Sequence, residues 1–218
     1  MPPMTATAEI FNAPVVSQPD MVTLENVSWR TYERLLEETQ EQHFRITYDQ
    51  GRMVIMSSLP KHDKIKKLVG RMIETASLEL DIPISSFGST TWKSKDLRKG
   101  LEADECYYIK NEPLVRGRVN ISLKRDPAPD LAVEVDITHN PLNRSSIYAA
   151  LRVAEVWRYN GDGIEFLRRR GSKYIAIEHS DAFPMIRAAD INRFLMMFTG
   201  KEENTVIRAF RDWVKTVS

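Results

Sequence analysis

Hydrophobic positions along the chain recur at two periods, and the clearest is helical. Ile65, Leu68, Val69, Met72, Ile73, Ala76 and Leu80 follow at steps of three and four, which places them on one stripe of an α-helix. Pro60 suits the first turn of that helix, where a missing N–H costs nothing, and Asp81-Ile-Pro83 predicts its end. Upstream, the Ser28 hydroxyl can cap a helix over WRTYERLLEETQ, with Glu37, Glu38 and Glu41 as its solvated face. Between these helices, FRITYDQGRMVIM alternates Phe44, Ile46, Tyr48 and then Met53, Ile55 around Asp49-Gln-Gly51, the pattern of a hairpin.

Beyond the long helix, ISSFGSTTW is strand-prone and interrupted by Gly88, KSKDLRKG reads as a charged connector, and ADECYYI as a short strand carrying acids. Residues 113–125 read as irregular and basic. PAPDLAVEVDIT has the strongest strand pattern, and a helix over NRSSIYAALRVA follows it. EVWRY, IEFLRR and KYIAIE, with a Gly161-Asp-Gly163 turn, predict three strands, and ADINRFLMM and ENTVIRAFRDWVKTV two closing helices. The order α-β-β-α-β-β-β-α-β-β-β-α-α, without internal repeat, implies an α/β (mixed α+β) architecture. Residues 1–22 read as a flexible leader and 23–218 as one domain, since 218 residues suit a single core.

Composition narrows the function classes. The 31 basic and 30 acidic residues leave a net charge of +1, which excludes a bulk polycation and an acidic tail, so any polyanion must be held by local patches. The single cysteine, Cys106, excludes an intramolecular disulfide framework and a cysteine-rich zinc module, and reads as a small buried residue. The leader lacks a basic n-region, and no stretch approaches the roughly 20 apolar residues that span a bilayer. A cytoplasmic protein without membrane association is therefore expected.

The candidate chemistry lies in two acid-bearing strands. Alternation puts Asp130, Ala132, Glu134 and Asp136 on one face, opposite the apolar Leu131, Val133 and Val135. Likewise Glu102, Asp104, Cys106 and Tyr108 share a face. If the two strands pair antiparallel, Asp104 and Glu134 converge, and two carboxylates with carbonyls and waters make a hard-oxygen site for Mg²⁺ or Mn²⁺. The structural alternative is a set of solvated or ion-paired strand ends.

Basic residues gather in two places. Lys61, Lys64, Lys66, Lys67 and Arg71 face one acid in 61–71, and Lys93, Lys95, Arg98 and Lys99 face one in 93–99. Lys61, Lys64, Lys93 and Lys95 are the expected phosphate contacts of a DNA-binding surface. Arg168, Arg169 and Arg170 read as a solvated run. His62, at the start of the periodic helix, reads as an exposed histidine with some reach towards a phosphate. His43, His139 and His179 have no partner at ligand spacing, and Trp92, Trp157 and Trp213 read as core or interface.

Three stretches, RITYDQGRMVIMSSLPKHDKIKKLVGRMIE, GSTTWKSKDLRKGLEADECYYI and PAPDLAVEVDITHNPLNRSSIYAALRVAEVWRY, resemble the Uma-type restriction endonucleases within the PD-(D/E)XK nuclease superfamily. The resemblance covers about residues 23–200. It implies a restriction-endonuclease-like fold, a central mixed sheet flanked by helices, with metal-dependent phosphodiester hydrolysis of DNA by a homodimer. Carried over, the aspartate of "PD" falls on Asp104, with Ala103 in place of proline, and the acid of "(D/E)XK" on Glu134. These two would hold Mg²⁺ or Mn²⁺, with Glu102 and Asp136 in outer positions. The lysine slot holds Asp136, and the displaced basic position falls on Arg144, which would contact the phosphate or nucleophile. Arg45 and Arg52 stand in the early hairpin where family members tend to carry glutamates. Arginine cannot act as a general base, so the resemblance also leaves room for a silent DNA-binding or interaction protein on the same fold.

Overall fold

The computed structural model of the chain describes residues 21–40, 42, 44–57, 59–137 and 140–217. The helical stripe becomes α2 (Pro60–Glu79), with Leu68, Val69, Met72, Ile73 and Ala76 buried along one face. Asp81, at a φ of 53°, turns the chain out of it. The Ser28 hydroxyl caps α1 (Trp29–Glu38) by accepting from the Thr31 N–H at 3.0 Å. The expected hairpin forms as β2 (Phe44–Asp49) and β3 (Arg52–Ser57), with Gly51 of its turn at φ 104°.

The strands sort into two sheets instead of one central sheet. The first contains β1 (Met21–Leu24), β3, β2, β6 (Lys99–Glu102) and β5 (Thr91–Ser94), in that order. The second runs β11 (Lys173–Ile177), β10 (Ile164–Arg170), β9 (Glu155–Tyr159), β8 (Leu131–Val135), β7 (Glu105–Tyr108) and β4 (Ser85–Ser86). Its β8–β9 pair is parallel and its other pairs antiparallel, so this sheet is mixed. The crossover between β8 and β9 carries α4 (Arg144–Ala150), capped by the Asn143 side chain.

Local differences from the sequence reading have identifiable causes. ISSFGSTTW divides at Gly88, whose φ of 52° sends β4 into one sheet and β5 into the other. The charged connector is itself a hairpin, β5 to β6, turned at Arg98 with φ 49°. Its charges obscured the pattern because β5 alternates buried Trp92 with exposed Lys93. Within 113–125, Pro113 to Val115 belong to a short helix, α3 (Glu112–Val115). Met21 and Val22, inside the segment read as a leader, already pair with β3, while residues 1–20 of that leader lie outside the described residues.

Three apolar clusters hold the layers together. One face of the six-stranded sheet packs Leu131, Val133, Trp157 and Phe166 against α2, α5 (Ala188–Phe198) and α6 (Glu203–Val217). Its other face packs Cys106, Ala132 and Val156 against Ile147 and Tyr148 of α4. In the first sheet, Tyr48 stacks on Tyr32 of α1 at 4.8 Å, with Trp29 edge-on.

Gly100 is required by that aromatic cluster, because a Cβ there would lie 2.2 Å from the Tyr32 hydroxyl oxygen. Tyr32 is fully buried and cannot swing away. Gly100→Ala is therefore expected to destabilise the protein by about 1–3 kcal/mol in urea unfolding. Gly200→Ala, with open space around its Cβ, should stay within roughly 0.5 kcal/mol of wild type.

Candidate functional site

The antiparallel register of β7 and β8 sets Glu105 opposite Val133 and Cys106 opposite Ala132. One step further, the same register sets Asp104 opposite Glu134, as the alternation predicted. Both carboxylates are buried, Asp104 completely. Asp104 Oδ2 accepts the Val135 N–H at 2.6 Å, which ties the end of β8 to the start of β7.

Each acid is engaged by a guanidinium. Arg45 of β2 brings Nη1 into contact with Asp104 Oδ1. Arg144 lays its fork on Glu134: Nη2 donates to Oε2 at 2.8 Å, and Nε contacts Oε1. The Tyr148 hydroxyl, one helical turn beyond Arg144, donates to the same Oε2 at 2.7 Å. Arg144 also donates from Nη1 to Thr47 Oγ1 at 2.6 Å and from Nη2 to the Glu102 carbonyl at 2.7 Å. Burial opposes ionisation of Glu134, but the Arg144 charge and the hydrogen bonds of Arg144 and Tyr148 outweigh it and hold its pKa below the usual carboxylate range. The same burial pushes the Tyr148 hydroxyl well up.

His62 was expected to be exposed, and the structure corrects this: it is buried at the start of α2. Its Nε2 lies 2.9 Å from Asp104 Oδ2 and 3.1 Å from Arg45 Nη1, and its Nδ1 lies 3.3 Å from Asp63 Oδ1. Nε2 can donate to Asp104 or accept from Arg45, but not both at once. Burial, then the Arg45 charge, push the imidazole pKa down against the carboxylates of Asp63 and Glu134.

A groove of about 920 Å³ lies over this centre, lined among others by Arg45, Asp63, Lys66, Lys93 and Glu102. Of the four lysines singled out for DNA, Lys93 lines it. Lys61 and Lys64 line a separate cleft with Asn192 and Phe198, and exposed Lys95 sits in the β5–β6 turn. Lys66 reaches the groove instead. Its Nζ lies 2.6 Å from Ser89 Oγ, and desolvation lowers its pKa against the pull of Glu105. Burial raises the pKa of Glu102, opposed by Arg45, Lys66 and Arg144. Asp136 stands just past β8, its N–H donating to the Tyr159 carbonyl. Arg52 pairs with Glu25 on the exposed side of the hairpin. Cys106 is buried as expected, its thiol pushed up to about 12 by desolvation. His43 and His139 lie outside the described residues.

Comparison with known proteins decides the family. A family model described as putative restriction endonuclease (Uma2) matches residues 29–191. The chain belongs to this family. No curated protein matches it. The Uma2 assignment agrees with the mixed α+β architecture of two helix-flanked sheets, a restriction-endonuclease-like fold. Families of this fold usually use divalent metals. A divalent ion does not fit the donor set as arranged, because Arg45 and Arg144 already occupy Asp104 and Glu134. Among the described residues no group of three His, Cys, Asp or Glu side chains could hold a metal ion, and no helix is long and apolar enough to cross a membrane.

The sequence reading had placed Asp104, Glu134 and Arg144 in one centre, and the fold brings all three together. It had weighed His62 for a phosphate contact and Arg45 as standing where family members carry glutamates, without placing either beside Asp104, and it had not singled out Tyr148. Tyr148 carried a readable signal, four residues after Arg144 and so on the same helix face. Arg45 and Thr47 carried another, polar residues alternating with the apolar face of β2.

Arg144→Met would leave Glu134 buried and unpaired, and is expected to cost about 3–5 kcal/mol in denaturant unfolding, most of it recovered in Arg144→Met/Glu134→Leu. Because the folded pKa of Glu134 lies below its unfolded value, its stabilisation is present at neutral pH and lost as pH falls through the carboxylate range. A pH series of melts should therefore show a shallower acid decline for Glu134→Gln than for wild type.

Proposed function

We propose that this Uma2 protein works on DNA by holding phosphates along the groove over the Asp104–Glu134 centre, as a nuclease-fold protein in which hydrolysis is impaired. The observation that carries the reading is the double ion pair: the acids that would collect a divalent ion each hold an arginine instead. Family membership supports DNA as the partner. The groove supplies Arg45, Lys66, Lys67 and Lys93 as cations for the phosphates. Arg45 and the half-buried Lys66 meet a phosphate at the floor, Lys93 at the rim. The two-fold symmetry of duplex DNA suits a homodimer, to be checked by sedimentation, and the expected setting is the cytoplasm.

A second reading is a Mg²⁺- or Mn²⁺-dependent endonuclease with Asp104 and Glu134 as ligands and Arg144 on the phosphate. It is favoured by one feature of the centre: buried Asp104 Oδ1 accepts no hydrogen bond and has a charge contact alone.

Two measurements separate these readings. Gel shifts across a salt series should show duplex DNA retained at low salt and released as salt rises, with Lys66→Ala and Lys93→Ala lowering the salt slope by roughly one each. Supercoiled plasmid with Mg²⁺ or Mn²⁺ should stay uncut. Nicking by wild type that Glu134→Ala abolishes would replace the first reading with the second, and no salt-dependent retention would sink the DNA assignment.

A further inference from the structure

Lys61 and Lys64 open onto a second cleft, of about 760 Å³, between the start of α2, the β9–β10 turn and the last turns of α5. That is the size of a small-molecule site. The first turns of α2 divide it from the groove, with Asp63, Lys66 and Lys67 on the groove side and Lys61, Lys64 and Ile65 on the cleft side. Its walls are apolar: Ile65 from α2, Tyr159 from β9, and Leu195, Met196 and Phe198 from α5, with Met196 68% exposed at the rim. The polar groups between them are already engaged. Asn192 accepts the Ile164 N–H at 2.6 Å and donates to the Ile164 carbonyl at 2.9 Å, while the Tyr159 hydroxyl donates to the Gly161 carbonyl. Gly163 permits this close approach of turn and helix, since a Cβ there would lie 2.9 Å from Asn192 Oδ1.

The two lysines are the exception. Both are exposed, and among the described residues neither is ion-paired. Lys64 carries its Nζ over the Phe198 ring, 6.0 Å from the centroid. An ammonium has three donors and no acceptor, so a ligand that satisfies this pair brings negative charge. Asp162, on the turn side of the cleft, repels such a charge and directs it towards α2. Two aromatic rings and a methionine thioether favour a flat ring as the apolar part of the ligand.

We propose that this cleft binds a small aromatic carboxylate, with its charge on Lys61 and Lys64 and its ring against Tyr159, Met196 and Phe198. The charge complementarity selects the anion, and the engaged polar groups around Asn192 leave the ring only apolar contacts. The site lies outside the Asp104–Glu134 centre and stands independently of the DNA reading.

The test is calorimetric titration of the full chain with 2-naphthoate and with uncharged 2-naphthamide, which share one ring body. Wild type should bind the carboxylate at least ~10-fold more tightly than the amide, a difference of about 1.4 kcal/mol, and the gap should narrow as salt rises. Lys61→Gln/Lys64→Gln should remove the gap. Met196→Glu, at an exposed position, should weaken the carboxylate more than the amide. Equal affinities, no uptake of either compound, or uptake that the double variant leaves unchanged would each overturn the proposal. Displacement of 2-naphthoate by duplex DNA, itself lost in Lys61→Gln/Lys64→Gln, assigns the lysines to DNA and also overturns it. Uptake that appears only after residues 2–20 are removed assigns the cleft to that segment of the chain, with the same consequence.

Discussion

The fork of Arg144 is the contact on which the two sheets depend. It rises from α4, the crossover helix of the six-stranded sheet, and grips Glu134 in β8 of that sheet. Its remaining donors reach Thr47 in β2 and the Glu102 carbonyl in β6, both in the other sheet. One planar cation thus joins a carboxylate, a hydroxyl and a carbonyl from three strands. A lysine, with a compact ammonium on a flexible stem, could not span those directions at once. The Glu134–Arg144 pair therefore does more to fix how the sheets meet than to add net stability, since a buried ion pair barely offsets its own desolvation.

Arg45 and Asp104 form a second buried pair, and Arg45 also lines the groove. Here the base comes from β2 of the five-stranded sheet and the acid from the junction with the six-stranded one, whereas Arg144 rises from a helix of the six-stranded sheet. Each of the two buried acids is met by one arginine. The near-equality of acids and bases along the whole chain has a local counterpart at this point. The fold is that of restriction-endonuclease-like proteins, and in this chain both acids of the centre are ion-paired to arginine.

Much of this was legible before any coordinates. The stripe Ile65 to Leu80, the Ser28 cap and the β2–β3 hairpin are local patterns, set by period and turn chemistry. Asp104 and Glu134 could be brought together because strand alternation and one antiparallel pairing suffice. Arg45 and His62 could not, since their place depends on how β2 and the start of α2 dock on a second sheet, about which no local period speaks. The β5–β6 hairpin was hidden for a related reason. Its outward face is charged and its inward face is a short run from Trp92 to Leu101, too brief to stand out against lysines.

After α2 has carried the chain from β3 to β4, two of its crossings between sheets lie side by side, outward through Phe87–Thr90 and back through Ala103–Asp104. The crossings are laced together, for the Ala103 N–H donates to the Thr90 carbonyl at 3.1 Å and the Ser89 hydroxyl to that of Asp104 at 3.3 Å. Asp104 is thus a link residue as well as a member of a centre, carried on the two-residue strap that sets the angle between the layers. Its carboxylate, held by the Val135 N–H of one sheet and facing Arg45 of the other, therefore has a contact in each layer from the strap that joins them.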